Sequence, residues 1–311
     1  VIATTSAVME LVDSKKLSLD DKVVDHLPIF RGNQKNYFNQ KSAITVRHLM
    51  THTAGLPPFK KYFLIESSAE VRLDSVMNTA PTIGLEEKTI YSDVGLITLG
   101  KVVEAISGVP LDVFVDSIIF NPLGMRSTYF NPPKERMKRI VPTEYSDLYG
   151  ELIMGYVHDE NSYSLGGVTG HAGLFSTASD LAIFSQLMLN HGIYGWKRIF
   201  NKETVALFTQ KVNVVENSSR AIGWDTPNGK SSGGVYLSDK SFGHTGYTGT
   251  SLWIDSENQM FVILLTNAVH PNRSYKKPKY FDWRQKIHSE VYKAVKINKK
   301  NPNLEWRKIW Y

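Results

Sequence analysis

Three short apolar runs near the end of the chain, residues 242–247, 250–255 and 260–266, are strand-like and set the fold class. Ser256-Glu257-Asn258-Gln259 supplies a hairpin turn between the second and third, so they read as an antiparallel meander. The residues before them follow a different period. Apolar side chains recur at helical spacing from Val1 to Val12 with no capping residue ahead of the first turn. The chain therefore opens on a helix already under way.

Further helices are marked by their ends. Thr45 can cap a short helix over 46–50, closed near Gly55 and blocked by Pro57-Pro58. A helix is predicted from Asp93 to Ile106, stopped by Gly108, and another from Pro110 to Phe120. Thr177-Ala178-Ser179-Asp180 opens a helix through Leu189, with an acid suited to the positive helix end. Residues 131–170 are rich in turn formers and aperiodic, and 283–295 form a terminal amphipathic helix. Helices first, then a meander with a closing helix, predict an α+β fold. We expect one domain over 1–311: a mainly helical subdomain at about 20–200, sheet and closing helix at about 220–297, and a basic tail at 298–311.

Composition excludes several functions. With 42% hydrophobic residues the chain can repay its ordering entropy, and the longest apolar run, Met260 to Leu265, is far too short for a membrane helix. The net charge of +6 is concentrated: residues 271–311 hold 12 Lys or Arg against 3 Asp or Glu, the other 270 hold 24 against 27. Lys276-Lys277-Pro278-Lys279 reads as a solvated basic surface, with peripheral contact to an anionic cell envelope as the partner it suits. No nucleic-acid signature accompanies it. Zero cysteines exclude disulfides, thiolate metal sites and a Cys nucleophile. The chain begins with Val and carries no signal peptide, so we expect a trimmed or incomplete form of something longer.

Conventional sites fail on spacing. His48 and His52 lie four apart, but Leu49 stands where a zinc-protease motif needs Glu, so they read as a packed helix end. His158-Asp159-Glu160 offers ligand types whose side chains diverge. Gly166-Gly167-Val168-Thr169-Gly170 lacks the Lys of a phosphate loop. We expect no metal and no cofactor. Two segments are more suggestive. Tyr91-Ser92-Asp93 sits at a loop-to-helix entry, where backbone N–H groups are free, and His244-Thr245-Gly246 lies in a strand, where glycine permits close approach.

Their order and company resemble the serine hydrolases related to class C β-lactamases, penicillin-binding DD-peptidases and similar esterases. The resemblance runs from Val1 to about Asn267. It is carried by the opening helix with Leu17-Ser18-Leu19-Asp20-Asp21, by residues 44–56, by Tyr91-Ser92-Asp93-Val94-Gly95, by Asn121-Pro122-Leu123-Gly124-Met125, by residues 173–181 and by Gly243-His244-Thr245-Gly246. His158-Asp159-Glu160-Asn161 and Gly170-His171-Ala172-Gly173 resemble a subgroup of bacterial envelope proteins, some fused to a glycosidase domain.

The resemblance implies a β-lactamase/transpeptidase-like fold, an antiparallel sheet flanked by helices, with the N-terminal strands missing. It implies an acyl-enzyme cycle begun by the Ser of a Ser-x-x-Lys motif whose Lys falls just before Val1. The chain contains that spacing only at Ser274–Lys277, in a basic loop unsuited to the role. Tyr91 matches the tyrosine base, Asp93 replaces the family's Asn, and His244 replaces the Lys of Lys-Thr-Gly. The N–H of Tyr247 maps to an oxyanion donor. Thr245 and Gly246 fall in the substrate-binding strand, and Asn161 and His171 are assigned to the cleft lining. With the Lys gone, His244 is the one cation candidate near Tyr91. Both replacements favour an ester, amide or D-amino-acid peptide over a β-lactam. The alternative is a non-catalytic module that holds peptidoglycan fragments. Either reading places the protein in the bacterial periplasm or cell envelope, with a small molecule or peptide as its ligand and no nucleic acid.

Overall fold

The structure, a computed structural model, describes residues 1–216, 218–275 and 278–307. Lys276 and Lys277 of the basic run, and residues 308–311 of the tail, lie outside the described residues. The first helix, α1, spans Ile2–Asp13 and buries Ala3, Thr4, Thr5, Ser6 and Ala7 in succession. These small side chains let its neighbours approach closely. α2 covers Val46–Met50 and is closed by a reciprocal cap: Thr45 Oγ1 accepts from the His48 N–H, and His48 Nδ1 accepts from the Thr45 N–H at 2.9 Å. α3, Asp93–Ser107, starts at Ser92, whose Oγ accepts from the Gly95 N–H at 3.1 Å, and stops at Gly108 in the left-handed conformation.

The predicted 110–120 helix is two pieces, an α segment Leu111–Val115 followed by a π turn Asp116–Phe120, and Pro110 is its cap rather than its first residue. The irregular stretch contains the single-turn helix α4, Glu160–Ser164, capped by Asp159. α5, Ala178–Leu189, is capped by Thr177 as predicted.

The meander is observed as β1 (Ser241–Thr245), β2 (Ser251–Asp255) and β3 (Met260–Leu264), in that spatial order and antiparallel. Its register sets His244 opposite Leu252 and Thr245 opposite Ser251. All five residues of β2 are buried, and α5 packs against β2 and β3. β1 is covered on its outer side where Gly243 exchanges two backbone hydrogen bonds with Asp225, at 2.8 and 2.9 Å. β3 pairs only with β2 among the described residues.

The closing helix, α6, spans Pro278–Ala294 and starts earlier than the periodicity predicts. The expectation of a solvated tail from 298 is corrected. Leu304 is buried with Val235, Leu237, Trp253 and Tyr292, while Asn301 donates from its side chain to the Leu237 carbonyl at 2.9 Å. Burial of Leu304 and pairing of buried polar groups tie this segment down, whatever the charge of its neighbours.

Candidate active site

Tyr91 is presented by a turn fastened to the loop after α2. The Ser92 N–H donates to His52 Nδ1 at 3.2 Å, Ser92 Oγ donates to the Pro57 carbonyl at 2.7 Å, and the Asp93 N–H donates to the Pro58 carbonyl at 2.9 Å. His52 reaches this position through a positive φ of 59° directly after α2. Its ring lies 4.4 Å from that of Tyr91, centroid to centroid, and the His244 ring lies 5.9 Å from Tyr91 on another side. The Arg220 guanidinium stands 5.4 Å from the Tyr91 ring centre and pairs with Asp225 at 2.9 Å. Since Asp225 is stapled to Gly243, the arginine is held against the strand that carries His244.

A second grouping shares Asp93. His171 Nε2 and Asp159 Oδ1 are 2.9 Å apart, Thr169 Oγ1 is 3.0 Å from His171 Nδ1, and the Ser162 N–H donates to Asp159 at 2.7 Å. One ligand atom from each of Asp93, Asp159 and His171 lies within 4.8 Å of the others. Asp159 already serves His171 and Ser162, so the grouping reads as a hydrogen-bonded dyad facing a carboxylate. The start of α1 lies near enough for the Val1 amino group to act electrostatically on Asp93 and His244. Gly170 seats the loop: its carbonyl accepts from Thr4 Oγ1 of α1 at 2.7 Å, and its α-carbon lies against Leu96 and Gly100 of α3.

Burial decides the charge states. It raises the Tyr91 phenol well above its ordinary value, with Asp93 adding to the rise and Arg220 opposing it. It pushes His244 down to about 3, with the Val1 amino group and then Arg220 acting in the same direction. His52 is held far below the usual imidazole range by burial and then by Arg220 and His244. The Asp93 carboxyl is raised by burial against the opposing charge of His171. Burial alone would raise Asp159 too, but the hydrogen bonds from His171 and Ser162 outweigh it and hold that carboxyl low. At neutral pH the crevice thus holds a neutral phenol and two neutral imidazoles beside the charged Arg220.

These buried imidazoles make the fold acid-sensitive. His288, bonded to Ser251 Oγ at 2.8 Å, is also pushed down by burial, to about 4. Below the unfolded value near 6.5 the unfolded chain takes up protons that the folded one refuses, so stability falls as pH falls. Between pH 6.5 and 5 this costs about 2 kcal/mol for each of His244 and His288, and His52 adds in the same sense. Asp93 and Asp225, whose carboxyls are raised, act oppositely but only toward the carboxylate range. Thermal melts at pH 7 and pH 5 are expected to show a clearly lower midpoint at pH 5; equal midpoints contradict these assignments.

Of the residues singled out from sequence, Tyr91, Asp93, His244 and His171 come together, and Thr245 and Gly246 continue from His244. Gly246 donates its N–H to the Thr250 carbonyl at 2.8 Å, and a Cβ there would meet Thr250 Oγ1 at 2.2 Å. Tyr247 is 57% exposed, with its ring 5.7 Å from that of His158. Asn161 is buried: its Oδ1 accepts from the Phe63 N–H at 3.1 Å, and its Nδ2 donates to the Lys60 carbonyl at 2.8 Å. These bonds fix it to the backbone of the 60–63 segment and use one of its two N–H donors and one of its two lone pairs. Three residues were missed: His52, read as a helix end; Asp159, read only as a divergent metal ligand; and Arg220, which also corrects the view of His244 as the sole cation candidate. The order His-Asp-Glu-Asn before Gly-His-Ala-Gly could have signalled the Asp159–His171 pair, whereas Arg220 has no sequence signal of its own.

The pattern that defines the Beta-lactamase family matches residues 2–285. An Escherichia coli protein named "Putative D-alanyl-D-alanine carboxypeptidase" is 34% identical over 293 residues, covering 86% of this chain and 67% of that protein. A penicillin-binding protein homologue from Caulobacter crescentus superposes with a TM-score of 0.70 at 16% identity, over 94% of this chain and 81% of that one. A class C β-lactamase from Rhodobacter sphaeroides superposes with a TM-score of 0.67 at 19% identity, over 94% and 83%. At these identities the two structures establish likeness of fold.

Proposed function

The chain belongs to the Beta-lactamase family of serine hydrolases, and on that premise we propose that it is the larger part of an acyl-enzyme hydrolase of an ester, amide or cell-wall peptide. The observation that carries the reading is the convergence of Tyr91, Asp93 and His244 on the start of α1. There, an attacking hydroxyl would meet a proton-transfer group and the strand that carries His244. The relative named as a carboxypeptidase supports a peptide ending in a D-amino acid.

In this reading a serine leading into α1 adds to the carbonyl carbon, the leaving group departs protonated, and water releases the acyl group. Tyr91 is placed to relay the serine proton to the leaving group, although burial, which raises its phenol, leaves it a weak acid by itself. It becomes a base only when a cation such as the motif lysine enters beside it. The Tyr247 N–H is assigned to the developing oxyanion, Thr245 and Gly246 to the substrate backbone, and the basic segment 271–311 to contact with an anionic envelope. The cycle needs no cofactor.

A binding module for peptidoglycan fragments is the second reading, favoured by the carboxylate at Asp93 and by the absence of positive charge on His244. One comparison separates the two. The 311-residue chain is expected to hydrolyse p-nitrophenyl acetate no faster than buffer. A form extended by the encoded residues before Val1 is expected to turn it over and to be labelled once by a fluorophosphonate, on a Ser-x-x-Lys serine. An extended form that takes no label overturns the hydrolase reading and leaves the binding module.

A further inference from the structure

Away from the crevice, the far end of α1 is tied to a surface hairpin. Asp13, the last residue of α1, accepts from the Asn201 N–H at 2.8 Å and from Asn201 Nδ2 at 2.9 Å. Just before Asn201, the short strands Ile193–Tyr194 and Lys197–Arg198 pair antiparallel around the turn Gly195-Trp196. Gly195 supplies a positive φ of 57° at the first turn position, where glycine is favoured. The base of the hairpin is fixed to the body of the protein. Tyr194 and Ile199 pack on the main core, Phe200 is buried, and the Gly192 carbonyl accepts from the Ile199 and Phe200 N–H groups at 2.8 and 3.2 Å. Trp196 at the tip is fully exposed, at 103%, whereas Trp224 and Trp253 are buried. Lys197 and Arg198 follow it and are exposed too. Lys197 Nζ donates to the Pro122 carbonyl at 2.8 Å and Arg198 Nη1 to the Phe200 carbonyl at 3.2 Å, partners that hold the cations in place without neutralising them. Lys202, Lys15 and Lys16 stand exposed behind them; the carboxylates of this end are Glu10, Glu203 and Asp13, and Asp13 is turned toward Asn201 and Thr204.

We propose that this tip is a peripheral membrane-docking site, with Trp196 inserted among the headgroups of an anionic bilayer and Lys197 and Arg198 on the lipid phosphates. An indole combines a large apolar face with one N–H donor, which suits it to the boundary between headgroups and acyl chains. The flanking cations supply attraction to a negative leaflet, and their apolar stems can lie along that boundary while the charges stay at the phosphates. A folded protein partner is a poorer match. A stable protein interface buries about 800 Å² on each side, whereas this convex turn presents one aromatic side chain between a glycine and a lysine. A fluid headgroup layer closes around such a tip. The crevice stays open when the tip is docked: the 12 residues of α1 span about 18 Å. Val1 at the start of that helix acts on Asp93 and His244, while Asp13 at its end meets the hairpin segment, so the crevice lies roughly one helix length behind the bilayer. Docking of this kind does not depend on the hydrolase reading.

The test is sedimentation of the 311-residue chain with vesicles of equal parts phosphatidylglycerol and phosphatidylcholine, and with vesicles of phosphatidylcholine alone. Binding to the mixed vesicles is expected to be about tenfold tighter or more, and to weaken with added salt. W196A should weaken it about tenfold. K197Q/R198Q should weaken it about twentyfold, from about fivefold per charge removed. K299Q/K300Q removes the same charge from the C-terminal segment and should change it by about twofold at most. Mixed vesicles should also shift tryptophan emission to the blue in the unaltered chain, and W196F should lack that shift. Melting temperatures verify that each variant folds. No binding to the mixed vesicles, binding that W196A leaves unchanged, or a loss in K299Q/K300Q as large as that in K197Q/R198Q would overturn the assignment. Self-association without lipid that W196A abolishes would overturn it too, by making a second copy the occupant of the tip.

Discussion

Tyr91→Phe is expected to lower kcat about a thousandfold in a form of the protein that turns over substrate, with KM changed little. The phenol oxygen is the only polar atom of a side chain otherwise packed between His52 and His244, and phenylalanine keeps both ring contacts. Removing a group that transfers a proton only in the transition state takes away rate rather than affinity. Because the neutral phenol is already strongly desolvated, its loss should leave the melting temperature almost unchanged. Steady-state kinetics on p-nitrophenyl acetate with the extended form provide the measurement. A loss of less than tenfold would mean that the proton moves through another group, for which His171 is placed on the opposite wall.

Gly170→Ala is expected to be strongly destabilising. A Cβ at this position would lie 1.9 Å from the Leu96 carbonyl oxygen and 2.9 Å from its carbon, both backbone atoms of α3 that cannot yield without bending the helix. Overpacking of this kind costs about 3 kcal/mol, or roughly 6–10 °C in melting temperature for a domain of this class. The loop would also lose the hydrogen bond from Thr4, shifting His171 and Asp159 away from Asp93. Calorimetry measures the first effect. The second appears as a changed His171 imidazole resonance under conditions where the variant remains folded. A variant as stable as the unaltered chain would show that α3 and the loop can separate at no cost.

The parts of the fold written in local chemistry were legible in the sequence. Thr45, Thr177 and the Gly108 stop mark helix ends because each satisfies, or terminates, backbone groups within a few residues. The strands were found to within two residues because their turns are local too. What escaped depends on distant pairing. Arg220 acquires its position from Asp225, which is fixed by Gly243 eighteen residues farther along. Asn161 carries the polarity expected of a ligand-binding group, but backbone about a hundred residues away takes one hydrogen bond at each of its ends. The charge count of the C-terminal segment could not register that Asn301 and Leu304 dock on the sheet side of the fold.

The outer side of β3 extends the lesson to the behaviour of the molecule in solution. Five consecutive residues there present half of their amides to whatever extended backbone arrives, with no lysine, proline or bulge to discourage a caller. A strand donated from elsewhere would lengthen the meander without altering a side chain of the crevice. Among the described residues β3 pairs with β2 alone, so its outer edge is where the backbone of one copy could add to that of the next.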